Sequence, residues 1–366
     1  MRTLNKICIG TRGSELARTQ TMIVGDSLRE LGFEVEYRII KTEGDQSAQS
    51  LVRLGGIGVF AAALRVALLD NECDIAVHSF KDLPTASVPG LAIGAVPTGI
   101  DSHDVLCSVD NTPLLDLPSG ATIGTGSPRR AAQIRRLRPD LHLVDIRGNV
   151  GTRLARVRGK AADIEGDLDG VVLARAGLAR LGRIDAITEN LDILPAPAQG
   201  KLAIECRVTD VPWSSSSPLA QALRKLNDIP SRLAAGAERA VLEGLQAGCA
   251  APVGAKASNS TLDAAVFSTD GQQSVSVQIP LPPQELFYLE TPALNNLSID
   301  IIKLDEAARL CGLQAAQKLI DQGAGSITNL HATKERGTQP THHSQALWRP
   351  GINGPSDDGA DVSVHA

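Results

Sequence analysis

The sequence predicts an α/β protein made of two similar strand–helix units and a smaller α+β domain. Short β-rich runs alternate with helical runs over residues 5–206, which is typical of a mostly parallel sheet covered by helices. The later part of that stretch repeats the order of the earlier part. The length of 366 residues allows two or three domains, each with its own core.

The first unit alternates strands and helices. In chain order the pattern predicts a strand at 7–9, a helix at 14–31, a strand at 35–39, a helix at 59–70 and a strand at 74–78. Ser14 is a typical N-cap, and Gly32 is a typical stop after a helix. Pro84, Pro89 and Pro97 then predict a loop before the second unit.

The second unit has the same plan. Its predicted elements are a strand at 121–123, a helix at 128–139, a strand at 141–146, a helix after 151 and a strand at 170–173. Ser127 and Pro128 suit the N-cap and the first helical position. The apolar run 202–206 predicts a strand that returns to the first sheet.

The rest of the chain predicts a helix at 238–245, strands between 253 and 279, and a helix at 304–321. Residues after 325 are polar and have no periodicity, which predicts disorder. The predicted domains are 5–97 with 198–213, 102–192 and 217–325, followed by a disordered tail at 326–366.

Composition excludes several classes of protein. A net charge of -5 argues against nucleic-acid binding by bulk charge, and no apolar run is long enough for a transmembrane helix. The start of the chain lacks a signal-peptide pattern, and the six cysteines form no CxxC, so we expect reduced thiols in the cytoplasm. Four of the seven histidines lie at 331 or beyond, so no metal site is expected in the folded part.

Arginine is unusually frequent, with 26 Arg against 10 Lys, and 12 of the Arg lie between 129 and 183. The planar guanidinium matches carboxylates and phosphates. In the segment 124–130, a strand, a glycine turn and a capped helix predict an anion site. Arg129 and Arg130 are unfavourable at a helix start unless an anion lies there. The alternative is a solvated helix start.

Further arginines follow predicted strands. Arg147 and Arg153 flank Gly148 and Asn149 where a strand passes into a helix, and Arg12 has the same placement in the first unit. Ligands bind at the carboxyl ends of strands in open α/β sheets, so this pattern predicts a ligand with several carboxylates. A scatter of surface arginines is the simpler interpretation of Arg135, Arg136, Arg138, Arg156 and Arg158.

Two residues could take part in chemistry. Asp82, next to Lys81 at the end of a predicted strand, could be a general acid or base, or merely pair with that lysine in a turn. Cys249 is the only cysteine in a loop of small residues, and is either a reactive thiol or an inert hydrophobe.

Seven motifs occur together in one order. They are IGTRGSELA (9–17), DIAVHSFKDLPT (74–85), GTGSPRRAAQ (124–133), IRGNVGTRL (146–154), ARAGLARLG (174–182), LPAPAQGKLAIECR (194–207) and AERAVLEGLQAGCAAPVG (237–254). In this the chain resembles the porphobilinogen deaminase (hydroxymethylbilane synthase) family. The resemblance implies two lobes like those of periplasmic binding proteins and a small α+β domain.

The resemblance also implies an activity. Four porphobilinogen molecules are condensed head to tail into hydroxymethylbilane with release of ammonia, on a dipyrromethane cofactor bound through a thioether to Cys249. Asp82 matches the catalytic carboxylate. The implied cofactor- and substrate-binding residues are Arg12, Ser14, Phe60, Lys81, Thr125, Ser127, Arg129, Arg130, Arg147, Gly148, Asn149, Arg153 and Arg180. A monomer is expected.

Two positions depart from the family pattern: Ile57 stands where many relatives have Lys, and Gly126 where they often have Ser. A competing interpretation is a two-lobed, non-catalytic binding protein for small anions, which explains the arginines but not Cys249 or Asp82. Nucleic-acid binding through 129–183 conflicts with the acidic net charge and with only nine aromatic residues.

Overall fold

The computed structural model describes residues 5–40, 59–160, 165–248, 251–258, 260–281 and 297–331. The first sheet contains β1 (Asn5–Thr11), β2 (Phe33–Ile39), β3 (Ile75–Ser79), β4 (Leu91–Ala95) and β10 (Leu202–Arg207), in the order β2-β1-β3-β10-β4. β1 is parallel to β2 and β3, whereas β10 is antiparallel to both of its neighbours. Helices α1 (Glu15–Glu30) and α2 (Val59–Leu69) pack against β3.

The second sheet contains β5 (Asp104–Ser108), β6 (Thr122–Gly124), β7 (His142–Val144), β8 (Gly170–Ala174) and β9 (Glu189–Leu191), in the order β7-β6-β8-β5-β9. β6 is parallel to β7 and β8, and β5 is antiparallel to β8 and β9. The helices of this lobe are α3 (Pro128–Leu137), α4 (Val150–Leu154) and α5 (Arg175–Arg180).

Both sheets share one plan, in which the fourth strand is antiparallel and is reached by a crossover from the other lobe. The crossovers are the segments 96–103 and 192–201. The expectation of two α/β lobes is therefore confirmed, including the return of 202–206 to the first sheet. The loop predicted around Pro84–Pro97 is wrong in part, because β4 lies between Pro89 and Pro97 as a short edge strand that tolerates a proline at either end.

The third sheet is small and antiparallel. Its strands are β11 (Val253–Ala257), β12 (Thr261–Phe267) and β13 (Ser274–Pro280), and its helices are α7 (Ile229–Gly244), α8 (Leu297–Asp321) and α9 (Ala324–Ile327). Leu233, Val241 and Leu319 pack with Val266 in its core. The expected α+β domain is thereby confirmed.

Two predicted domain limits differ from the structure. Helix α6 (Pro218–Leu226), assigned above to the third domain, packs Ala222 and Leu223 into the core of the first sheet instead. The limit at 325 is too early, because Leu330 is buried in the third core and its carbonyl accepts from Gly248 N at 2.9 Å. The rest of the tail, 332–366, lies outside the described residues. No helix in the described part of the chain is both long and apolar enough to cross a membrane.

Candidate active site

The functional candidates lie where parallel strands end. Arg12 and Ser14 follow β1, and a 3-10 turn, Phe80–Asp82, follows β3. In the second lobe Thr125 to Arg130 follow β6, and Arg147 follows β7. These are the strand ends at which open α/β sheets bind ligands.

The Asp82 side chain is exposed between two buried anchors. Phe80 is 6% exposed and Leu83 is 4% exposed, so the apolar side chains on either side of the aspartate fix the turn in the core. A carboxylate presented to solvent on a fixed turn can exchange protons with a bound ligand.

Lys81 is partly buried, and its side chain reaches the crossover segment 192–201. Its Nζ donates to Gln199 Oε1 at 3.2 Å, so the predicted turn pairing of Lys81 with Asp82 is not its hydrogen bond. Burial lowers the pKa of Lys81 to about 8, opposed by the charge of Asp82 and reinforced by the charge of Arg130. The ammonium is therefore less firmly protonated than an ordinary lysine.

Arg129 and Arg130 are buried against a carboxylate of the chain itself. Asp104, which is 0% exposed, accepts from Arg129 Nη1 at 2.6 Å and from Arg130 Nε at 2.8 Å. Gln199 Nε2 donates to the same carboxylate at 2.8 Å. Burial alone would raise the pKa of Asp104, but the two guanidiniums hold it well below its usual value.

This ion cluster changes the interpretation of the helix start. Ser127 caps α3 by accepting from Arg130 N at 3.4 Å, with Pro128 in the first turn, as predicted. The anion that two arginines require there is supplied in part by Asp104. Two guanidiniums face one carboxylate, so one positive charge remains for a ligand.

The other arginine pair of the second lobe is more open. Arg147 Nη2 pairs with Asp145 Oδ2 at 2.6 Å, and Arg153 Nε donates to Gly148 O at 2.8 Å. Gly148 has a φ of +109°, which an L side chain rarely adopts. The side chain of Asn149 caps α4 by accepting from Thr152 N at 2.8 Å. The turn between β7 and α4 therefore holds the exposed guanidinium of Arg147 and the partly buried one of Arg153.

A cleft lies between the ends of β6 and β7. Thr125, Ser127 and Arg147 line it, together with Asp145. The Thr125 hydroxyl accepts from Ser127 N at 3.3 Å. The cleft thus combines hydroxyls with a guanidinium, which suits a carboxylate ligand.

Two more candidates lie near the contact between the lobes. Ser14 caps α1 by accepting from Ala17 N at 3.3 Å, while Glu15 pairs with Arg183 of the second lobe at 3.6 Å. Arg180 Nη2 donates to Gly200 O of the crossover at 2.7 Å, and burial lowers the pKa of Arg180 to about 10. Arg12, two residues before Ser14 in the chain, is partly buried.

Some predicted positions cannot be placed. Cys249 and Ile57 lie outside the described residues, as does the side chain of Phe60 on α2. Sequence reasoning missed Asp104 and Gln199 as site residues. Gln199 lies in the motif 194–207, whereas Asp104 lies in none of the seven, and the signal for both is their burial among charges, which only the fold creates.

The charges of the site suit a polyanion. Burial lowers the pKa of Arg153, and the positive charges of Arg130 and Arg147 lower it further. The negative charges of Asp145 and Asp82 oppose this shift. Like charges gathered across both lobes repel each other, and an anionic ligand would relieve that repulsion. Among the described residues no cluster of His, Cys, Asp or Glu is placed to hold a metal ion.

Fold and site together define a two-lobed α/β protein that gathers arginines and the exposed carboxylate of Asp82 at the ends of its parallel strands. Residues 7–214 match the family "Porphobilinogen deaminase, dipyromethane cofactor binding domain", and residues 232–285 match "Porphobilinogen deaminase, C-terminal domain". The chain belongs to the porphobilinogen deaminase family. It is an enzyme with porphobilinogen deaminase (hydroxymethylbilane synthase) activity in tetrapyrrole biosynthesis, and it has a dipyrromethane cofactor domain.

Similar proteins support the assignment over most of the chain. The porphobilinogen deaminase of Cutibacterium acnes is 49% identical, over 90% of this chain and 99% of that protein. That of Leifsonia xyli subsp. xyli is 47% identical, over 88% and 94%. Distantly similar solved structures include a nutrient binding protein from Burkholderia cenocepacia bound to methionine, with 13% identity and a TM-score of 0.37 over 60% of this chain and 90% of that one.

Proposed function

We propose that Asp82 is the proton-transferring residue of this deaminase, and that the cations around it bind the carboxylates of the cofactor and of porphobilinogen. The observation that carries this proposal is the hydrogen-bond chain from Lys81, next to Asp82 in the β3 turn, through Gln199 to Asp104 and the two arginines that it binds in the second lobe. It brings the one exposed carboxylate of the β3 turn to the cationic strand ends of the other lobe.

The cations divide into two groups by their partners. Asp104 holds Arg129 and Arg130 in place and neutralises part of their positive charge. The two arginines therefore provide a fixed but reduced positive charge. Arg147, Arg153 and Lys81 are held by one weak or exposed partner each and can turn toward a ligand. The proposed binding set is completed by Arg12, Ser14, Thr125, Ser127 and Arg180, and by Gly148 and Asn149, which shape the turn. Phe60 is proposed to pack against a pyrrole ring.

Asp82 has the chemistry that the reaction needs. Loss of ammonia from porphobilinogen requires a proton on the leaving amine and leaves a cationic pyrrole, and the coupled ring must afterwards lose its α-proton. A carboxyl group can donate the first proton, balance the positive charge as a carboxylate, and accept the second proton. The dipyrromethane cofactor, when bound, supplies the pyrrole to which substrate units are joined.

Cys249 is proposed as the attachment site because the other cysteines suit it poorly. Burial raises the pKa of Cys73 to about 11 and those of Cys107 and Cys206 to about 12. A thiol with a raised pKa carries little of the nucleophilic thiolate. All five cysteines in the described part of the chain are unpaired, which supports a reducing, cytoplasmic location. We also propose that the protein acts as a monomer.

The test is Asp82→Asn, with the intact mass measured beside turnover. The variant should fold normally, carry the same two pyrrole units as the wild type, and be nearly inactive, because an amide cannot exchange the proton. Asp82→Glu, which keeps a carboxyl group, should retain part of the activity. Near-wild-type turnover of Asp82→Asn at full cofactor occupancy would refute the proposed role.

A further inference from the structure

One side chain outside the proposed binding set forms hydrogen bonds with the backbone of the turn that carries Asp82. Arg239, on α7, donates from Nη1 to the carbonyl oxygens of Phe80 at 3.0 Å and Leu83 at 2.6 Å. Its Nη2 donates to Pro84 O at 2.7 Å. The guanidinium carbon also lies 4.5 Å from the centre of the Phe80 ring.

These contacts fix the backbone on both sides of the aspartate. One guanidinium therefore binds three carbonyl oxygens at and just after the turn. The turn's own closing bond, from Leu83 N to Phe80 O, is long at 3.3 Å. The planar fork of arginine holds several acceptors in one geometry, which a lysine ammonium cannot do.

The guanidinium of Arg239 stays protonated near neutral pH. Burial lowers its pKa to about 10, with Arg65 adding to the shift and Glu205 opposing it. A pKa of about 10 leaves the group protonated near neutral pH. The hydrogen bonds to the turn are therefore charge-assisted and stronger than neutral ones.

We propose that Arg239 is a positioning residue, which sets the direction of the Asp82 carboxylate without touching substrate. This inference rests on the proposed role of Asp82. The same helix ends at Gly244, five residues before Cys249 in the sequence.

The direct test is Arg239→Lys in the holoenzyme, which keeps the charge and removes the fork. Misplacement of a reacting group by about 1 Å costs ~100-fold, so kcat should fall about 10- to 100-fold. KM should stay within about twofold, and the intact mass should still show two pyrrole units. Amide hydrogens of residues 80–83 and of Thr85 should exchange faster than in the wild type.

Arg232→Lys is the matched control. Arg232 is a buried arginine on the same helix that bonds Asp305 at 2.9 Å, bonds Ile93 O at 3.2 Å and lies 4.8 Å over the Trp213 ring. It ties α7 to the first lobe without contacting the turn, so kcat should change by less than about twofold. Equal losses of kcat in both variants would overturn the proposal, because they would show a general effect of docking α7.

A double variant separates this inference from the role of Asp82. In Asp82→Glu the carboxylate is already displaced by one methylene, so adding Arg239→Lys should cost at most about threefold in kcat. The same cost in both backgrounds would overturn the positioning role and leave the role of Asp82 intact. Full activity of Asp82→Asn would instead reject the role of Asp82 itself.

Discussion

Substitution of Asp104 tests whether the second lobe depends on the buried ion cluster. Asp104→Asn removes a fully buried negative charge and leaves two guanidiniums, 4% and 6% exposed, without a counter-charge. Breaking a buried ion pair costs about 3–5 kcal/mol in the free energy of unfolding. At ~2–4 °C per kcal/mol, Tm should fall by roughly 6–20 °C.

The assay is thermal unfolding between pH 5.5 and 7, followed by far-UV circular dichroism because residues 102–192 contain no Phe, Tyr or Trp. The pKa of Asp104 lies far below this window, so the difference in Tm should not change with pH. Sulfate should restore part of the loss by binding the folded form, and should stabilise Asp104→Asn more than the wild type.

Asp167→Asn is the control for loss of one acidic charge. Asp167 pairs with Arg156 at the surface, where the carboxylate is 60% exposed, so its loss should cost at most about 1 kcal/mol. The reasoning is refuted if Asp104→Asn melts no lower than Asp167→Asn. Stabilisation by sulfate that is equal in all three proteins would refute the charge argument alone.

Two other substitutions have defined outcomes. Cys249→Ala should carry no covalent dipyrrole and should melt at a lower temperature, because Arg153 and its cationic neighbours lose their partner anion; an intact mass that still includes two pyrroles would place the attachment elsewhere. With a Lys81 pKa of about 8, kcat/KM of the wild type should fall above about pH 8 as the ammonium loses its proton, and Lys81→Arg should remove that inflection. Stability should change with pH in the direction opposite to activity. Because the pKa of Lys81 is lowered in the folded state, the free energy of unfolding should increase as pH rises from about 8 to ~10.4. An unchanged inflection in Lys81→Arg would assign the titration to another group.

Local patterns were sufficient to predict most elements of the two lobes. Ser14 and Ser127 both cap helices as their sequence context predicts, because capping depends on neighbours within three residues. Strand ends could also be located, and with them the positions of Lys81, Asp82 and Arg147. Edge strand β4 was missed because prolines on both sides of a five-residue run resemble a loop.

The sequence by itself determined the family, the two-lobe plan and the identity of the candidate residues, since motifs and periodicity are local properties. Only the tertiary structure decided how those residues are partnered. Asp104 meets Arg130 across 26 positions, Gln199 meets Lys81 across 118, and Arg239 meets Phe80 across 159. Such pairs form only when the lobes and the third domain pack together, and burial then makes each charge strong enough to orient its partner. A pattern that spans a few residues cannot predict contacts between residues so far apart in the chain. The sequence therefore showed which side chains carry the chemistry, and the fold decided which of them contact each other.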